Sequence, residues 1–577
     1  MFFWPGVLFA MTDKILKNIS WLILIGIFLL AAVFIFIVKD LGGDIDNVLW
    51  RFVVTKVHLS QQLAMPYLTP TRCGGFHLAA DAQDLIFTLY TPIAWIVPNV
   101  IWAVKLTNVL LTVLLIVGMA RLLKLLGITH RLSRYSAAVI VGLSGYWVYH
   151  MTQGGNIWAH GLAFTPWVLL EIEWLLTRHF KFDRRHLVHM WALAMWLMLL
   201  INSGYYWLQV GFIIIAARAC VEIGLIVVHG FSRWQRWLAV IAAGGVAIIL
   251  SLPRLVGIWY FQLSKFPRMG GEVSHMQVIA GKQWSQLFVG SFIDQGIIAE
   301  ARHSEYLGYY WDYSNFIGVV ALVIILVGLS HIKDIIHKPF IWALAIACWF
   351  QVSITQNAQV ADHLRAVIPL FKQITWYWRG YAIWLFAAAI LIALGFSRLW
   401  QSRHQWGVIL ACVILSASVI ELTLTHRLMI NPRQVLHGGT ILDKSPAPEV
   451  PLTKEFASCY LGYIYGYGNE TPSQLSAAIA PGSLLGSHPE HPDFYNMHDV
   501  RVLSCDQANK GYYLTHQWPL WPKADKVDFD RFVHFQQVVP LPQPLQWFNY
   551  FSLVIWIGML VMGCFLLRNS SQSSRRA

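Results

Sequence analysis

What most constrains this chain is a succession of continuous apolar runs parted by short polar gaps. Each run is roughly 16–25 residues long, the length at which a helix rising about 1.5 Å per residue crosses a hydrocarbon layer. In that layer the backbone must satisfy its own hydrogen bonds, so the runs are expected to be helices. Unbroken apolarity, rather than alternation, excludes a membrane barrel. Composition agrees: 57% of residues are hydrophobic and 12% charged, where a soluble domain carries about 25% charged residues. The expected fold class is an all-α polytopic membrane protein with about twelve transmembrane helices.

The formal charge is +13. The cations do not gather on a soluble module, as a nucleic-acid binder's do. They fall in alternate gaps: Arg121/Lys124/Arg131/Arg134, Arg178/Lys181/Arg184/Arg185, Arg233/Arg236, Lys333/Lys338 and Arg398/Arg403. This positive-inside alternation sets the orientation. Both ends, with Lys14/Lys17 and Arg575/Arg576, are expected on the cytoplasmic side of the inner (plasma) membrane. Spans are expected at about 19–38, 99–120, 135–150, 157–177, 187–202, 205–228, 237–260, 315–331, 339–355, 378–397, 407–425 and 547–567. The first run lacks a small-residue cleavage site and reads as an anchor, not a removable signal. The short run 85–98, with Pro92 and Pro98, reads as interfacial or re-entrant.

Outer segments follow at 39–98, 261–314, 356–377 and 427–546. The chain divides into a transmembrane module over 1–426 with a first outer loop at 39–98, an external segment over 427–546, and a final helix and tail over 547–577. The external segment, rich in Pro, Gly and Tyr, is expected to be a small domain or cap of mixed structure. It carries Cys459 and Cys505, which an oxidising compartment would allow to pair. Cys220, Cys348, Cys412 and Cys564 fall in spans and read as small buried groups. His150, His160, His303 and His363, near the outer side, read as interfacial or packing residues. No spacing demands a metal.

The acids cluster outside. Lys39-Asp40-Leu41-Gly42-Gly43-Asp44-Ile45-Asp46-Asn47 follows the first span, and Asp81-Ala82-Gln83-Asp84 comes later in the same loop. Asp44 and Asp46 stand two apart, about 200° apart on a helix, so they cannot share one task. Gly42-Gly43 frees the backbone that aims Asp44, and Asp46 suits an N-cap. A carboxylate at this depth suits a general base toward a hydroxyl; a solvated loop acid is the plainer reading. Cations also occur on the outer side, where they are disfavoured: Arg254 in Ser251-Leu252-Pro253-Arg254, Lys265 and Arg268 before Gly270-Gly271, and Arg379 in Trp376-Tyr377-Trp378-Arg379. They suit a lipid phosphate or anchorage to headgroups. The aromatic residues at span ends read first as an interfacial belt.

The order of these features resembles the YfhO-like membrane proteins. Asp44-Ile45-Asp46-Asn47 resembles their acidic opening, and Ala80-Asp81…Tyr90-Thr91-Pro92 their first-loop segment. Ser144-Gly145-Tyr146…His150, Thr165-Pro166-Trp167, Leu252-Pro253…Arg268, Tyr306-Leu307-Gly308 and Ile368-Pro369…Arg379 follow in matching order over about residues 40–400. Two elements depart: Lys265 and Arg268 compete for one role, and Pro166-Trp167 inverts its pair.

The resemblance implies a glycosyltransferase of the GT-C superfamily. Such an enzyme takes a sugar from a polyprenyl-phosphate carrier such as undecaprenyl phosphate, at the outer face, with inversion. Asp44 and Asp46 are then the catalytic acids. Arg254, Lys265, Arg268 and Arg379 bind the donor phosphate, and Asp81 and Asp84 bind sugar or acceptor. Some members use Mg or Mn. The acceptor is a cell-envelope lipid, glycan or protein. A ligase that moves a preformed glycan onto a protein such as a pilin is the alternative enzyme. A transporter or flippase of lipid-linked sugar is the alternative of another class; the scarcity of mid-span acids speaks against it.

Overall fold

The computed structural model describes residues 67–69, 76–77, 86–97, 100–152, 156–178, 180, 183–229, 234–260, 291–292, 315–367, 377–402, 405–434 and 543–574. The expected first span, most of the first outer loop, the segment 261–290 and the external segment from 435 to 542 lie outside them, as does the Cys459–Cys505 pair.

The described chain is mostly helical. A two-residue hairpin of β1 (Leu68–Thr69) and β2 (Phe76–His77) comes first, antiparallel, with Leu68 opposite His77 and Thr69 opposite Phe76. Then follow α1 (Tyr90–Ile96), α2 (Val100–Leu125), α3 (Arg131–Gly142), α4 (Gly145–Thr152), α5 (Asn156–Thr177), α6 (Arg184–Asn202), α7 (Tyr205–His229), α8 (Trp234–Leu250) and α9 (Leu252–Gly257). The second half holds α10 (Val319–Leu329), α11 (Pro339–Gln356), α12 (Ala358–Val367), a 3-10 turn at Tyr377–Ala382, α13 (Ile383–Trp400), α14 (Gln405–Gln434) and α15 (Gln543–Ser574).

Among the described residues five helices, α2, α7, α13, α14 and α15, carry windows long and apolar enough to cross a bilayer; α8 and α9 together make a sixth. The expected first span lies outside the described residues. The apolar faces of the helices divide between protein and surroundings. α13 is buried along most of its length, through Leu385, Phe386, Ile392 and Phe396. α15 instead leaves Trp547, Phe551, Val554, Ile557 and Val561 exposed, as a lipid-facing helix does. The core joins Leu115 and Leu123 of α2, Val139 and Ile140 of α3, Phe164 and Val168 of α5, and α13. α10 and α13 approach backbone to backbone: a Cβ on Gly328 would lie 1.9 Å from the Leu391 carbonyl oxygen, and one on Gly395 2.2 Å from that of Ile324. Small residues at such a crossing let membrane helices pack by dispersion.

Three expected spans depart from a single helix. The run 135–150 is two helices, broken at Leu143-Ser144. Gly145 N–H donates to the Phe316 carbonyl at 2.7 Å, and the Leu143 carbonyl meets His426 Nε2 at 2.7 Å. The run 237–260 bends by 57° between α8 and α9. Pro253 explains the bend, since it lacks an N–H and crowds the preceding turn. The run 315–331 becomes helical only at Val319, after Gly318 at φ 94°. The helices at the end of the chain run past the expected limits, α14 to Gln434 and α15 from Gln543 to Ser574.

Candidate functional site

Of the residues singled out from the sequence, Asp44, Asp46, Asp81, Asp84, Lys265 and Arg268 lie outside the described residues. The backbone of Arg379 sits in the 3-10 turn before α13; its side chain is not among those described. Arg254 is the one candidate whose surroundings are described, and it is 1% exposed.

Arg254 owes its place to the break before it. α8 ends at Leu250, and Pro253 stands within the first turn of α9, so the chain turns inward. The Arg254 guanidinium donates from Nη1 to the main-chain carbonyl of Asn202. Asn202 is the last residue of α6, where carbonyls lack helical partners and the dipole favours a cation. Ser203 and Gly204, at φ 103°, then reverse the chain into α7. The Asn202 amide donates from Nδ2 to Ser251 Oγ at 3.3 Å. Thus the end of α6 and the bend of α8–α9 are held by two contacts, one carrying charge.

Two distant segments cover the bend. The Tyr67 hydroxyl reaches both the Pro253 carbonyl and Asn549 Oδ1 of α15, each at 3.2 Å. One edge of its ring lies against Gly257, where a Cβ would come within 2.5 Å of Tyr67 Cε1 and 2.6 Å of Cδ1. Ser552 Oγ of α15 donates to the Leu250 carbonyl at 3.2 Å, which that bend would otherwise free. Burial pushes the Tyr67 phenol well above its ordinary range, so it remains a neutral hydroxyl. A guanidinium held in this way has the donor geometry that suits a phosphate or a carboxylate.

Sequence reasoning missed Asn202, Tyr67, Asn549 and Ser552, because their role comes from tertiary approach. The only sequence signal for the place was Ser251-Leu252-Pro253-Arg254. His150 and His160, read as interfacial or packing residues, are both buried. The His150 ring stacks on Tyr146 with centroids 4.2 Å apart, and His160 faces Tyr90 at 5.6 Å. Elsewhere Arg218 of α7 bonds Glu173 of α5 at 2.5 Å and Glu222 at 2.7 Å, all three buried. Among the described residues no three of His, Cys, Asp or Glu converge so as to hold a metal. The acids considered for Mg or Mn lie outside those residues.

No family model and no curated protein matches the chain. Among solved structures it is similar to the arabinofuranosyltransferase AftD from Mycobacteria, with 15% identity, a TM-score of 0.43, and coverage of 70% of this chain and 27% of that one. It is also similar to the Archaeoglobus fulgidus oligosaccharyltransferase tethered with an acceptor peptide, at 13% identity and a TM-score of 0.41, over 70% of this chain and 55% of that one. A third is the archaeal oligosaccharyltransferase AglB from Archaeoglobus fulgidus with an inhibitory peptide and a dolichol-phosphate, at 13% identity and a TM-score of 0.39, over 71% of this chain and 55% of that one. The chain thus spans from about a quarter to just over half of the length of these structures.

Proposed function

We propose that this chain is a membrane glycosyltransferase of the GT-C type, which moves a sugar from a polyprenyl-phosphate donor to a cell-envelope acceptor at the outer face. The observation that carries the reading is Arg254. It is one of four cations selected from the sequence for a donor phosphate, and it is buried at a bend, where its guanidinium donates to the Asn202 carbonyl. A buried guanidinium in a membrane protein is costly and marks a functional position by default. The ordered motifs over about residues 40–400 support the same reading.

The chemistry follows from the roles. An acceptor hydroxyl attacks the anomeric carbon on the face opposite the phosphate. The new glycosidic bond forms as the bond from that carbon to the phosphate oxygen breaks, which inverts the centre. Asp44 takes the hydroxyl proton, and Asp46 positions the acceptor. The electron pair leaves with the polyprenyl phosphate, whose charge Arg254, with Lys265, Arg268 and Arg379, stabilises. Asp81 and Asp84 hold sugar or acceptor hydroxyls.

The test is transfer of radiolabelled sugar from polyprenyl-phosphate hexoses and pentoses by the full chain in vesicles, compared with Asp44→Asn at equal protein level. Covalent transfer by the wild type and its loss in Asp44→Asn support the reading. Transbilayer movement of the donor with no covalent product establishes a transporter instead.

A further inference from the structure

Asn202 uses three of its polar atoms in different ways. Its main-chain carbonyl accepts from Arg254, and its Nδ2 donates to Ser251 Oγ at 3.3 Å. Its Oδ1 is buried and has no hydrogen-bond partner among the described residues. The residue is 1% exposed. An unpartnered buried acceptor is disfavoured in any protein, and more so at the end of a membrane helix where an apolar side chain of the same size would fit. Turning the amide over moves the orphan to the nitrogen and does not remove it.

We propose that Asn202 is a specificity-determining residue of the same site: it receives the sugar hydroxyl that neighbours the anomeric carbon while Arg254 holds the phosphate. The inference rests on the glycosyltransferase reading above. Its geometry is local. Because Arg254 bonds the main chain of Asn202 itself, a ligand group on Oδ1 and one on the guanidinium stand within one small molecule's reach. A sugar phosphate offers that pair, an anion for the guanidinium and a hydroxyl donor on the adjacent ring carbon for the amide oxygen. The bend at Ser251 and the turn at Ser203-Gly204 hold both groups on helix ends rather than on long loops, so their separation is fixed before a donor arrives. A hydroxyl bound this way separates donors that carry it from those that lack it, because the analogue leaves the amide oxygen unpaired.

The experiment uses the full chain in lipid nanodiscs, with a polyprenyl-phosphate sugar that it transfers and the analogue lacking the hydroxyl beside the anomeric carbon. Wild type is expected to show a KM roughly tenfold higher for the analogue, the worth of one buried hydrogen bond. Asn202→Leu is expected to treat the two donors alike, with the ratio of their KM values falling to about one. Asn202→Asp, which keeps the acceptor, restores the discrimination and serves also if Asn202→Leu does not fold. Equal KM values for the two donors in wild type, or undiminished discrimination in Asn202→Leu, overturn the role of Asn202 and leave glycosyl transfer standing. Absence of transfer by wild type from every hexosyl and pentosyl donor overturns both.

Discussion

Arg218 of α7 and Glu173 of α5 form a buried ion pair, Nε to Oε1 at 2.5 Å, which Glu222 extends from one turn along α7 at 2.7 Å. The three charges tie α5 to α7. Removing Arg218 takes an ion-pair partner from two buried carboxylates. Arg218→Ala is expected to cost about 3–5 kcal/mol of stability. The double variant Arg218→Met, Glu173→Gln is expected to cost less than Arg218→Ala alone. Thermal unfolding of the full chain in detergent, followed by loss of the monodisperse peak, checks the order; equal losses in both variants would sink the ion-pair account.

Glu421 of α14 caps a helix that is not its own. Its Oε1 accepts the Val319 N–H at 2.6 Å and its Oε2 the Val320 N–H at 3.0 Å, at the start of α10. A Cβ on Gly318 would sit 2.5 Å from Oε2, so glycine there leaves room for the carboxylate as well as allowing the positive φ. Glu421→Ala should cost about 1–2 kcal/mol, and Glu421→Gln less, since one acceptor remains. Hydrogen exchange of the first turn of α10 reads this directly, with faster exchange expected at Val319 and Val320.

Arg254→Lys tests whether a fork or only a charge is needed. Lysine keeps the cation but loses the planar array of donors that serves Asn202 and, in the proposed reading, a donor phosphate. Transfer is expected to fall roughly 10²-fold, the usual scale for one fixed donor to a developing anion. Full activity in Arg254→Lys would move the phosphate away from this bend.

Gly328→Leu drives a side chain into the Leu391 carbonyl across the α10–α13 crossing. Overpacking of this kind costs about 1–3 kcal/mol or more, because a backbone cannot step aside as a side chain does. A large drop in recovered folded protein is expected, with Gly558→Leu as the control: nothing lies within 4 Å of a Cβ at Gly558.

Asp183 caps α6. Its Oδ1 accepts the His186 backbone N–H at 2.9 Å and meets His186 Nδ1 at 2.9 Å. These bonds, the backbone one first, hold the carboxyl below its ordinary value. A carboxyl lowered in the folded state contributes stability above its unfolded value, about 3.9, and loses it as pH falls through the lowered folded value. Asp183→Asn keeps an acceptor at the cap without the titration. It is therefore expected to show a flatter stability profile below about pH 4 than the wild type, in melts taken across acid pH.

The helices were legible because apolar length is a local property. The runs expected at 99–120, 205–228, 378–397, 407–425 and 547–567 overlap the five helices apolar enough to span a bilayer. The breaks were less legible. Pro253 advertised one of them, but the interruption at Leu143-Ser144 depends on His426 and Phe316, which lie far along the chain. Arg254 stood out because a cation at an expected outer position runs against the positive-inside pattern; Asn202 did not, since an asparagine at a helix end has nothing in its own neighbourhood to distinguish it. The cap from Glu421 was hidden for the same reason: the carboxylate and the helix it serves are 102 residues apart.

The bend at Arg254 also fixes an order of assembly. Its carbonyl at Leu250 is closed by Ser552, 302 residues later, and the Tyr67 hydroxyl that covers Pro253 is shared with Asn549, 482 residues after it. During synthesis, α8 and α9 therefore enter the bilayer long before the helix that completes them exists. Until α15 is translated, the Leu250 carbonyl lacks its Ser552 donor and the Tyr67 hydroxyl lacks Asn549. Maturation of this site is thus among the last events in making the protein, and a ribosome stalled before α15 leaves a bundle that is inserted but unfinished.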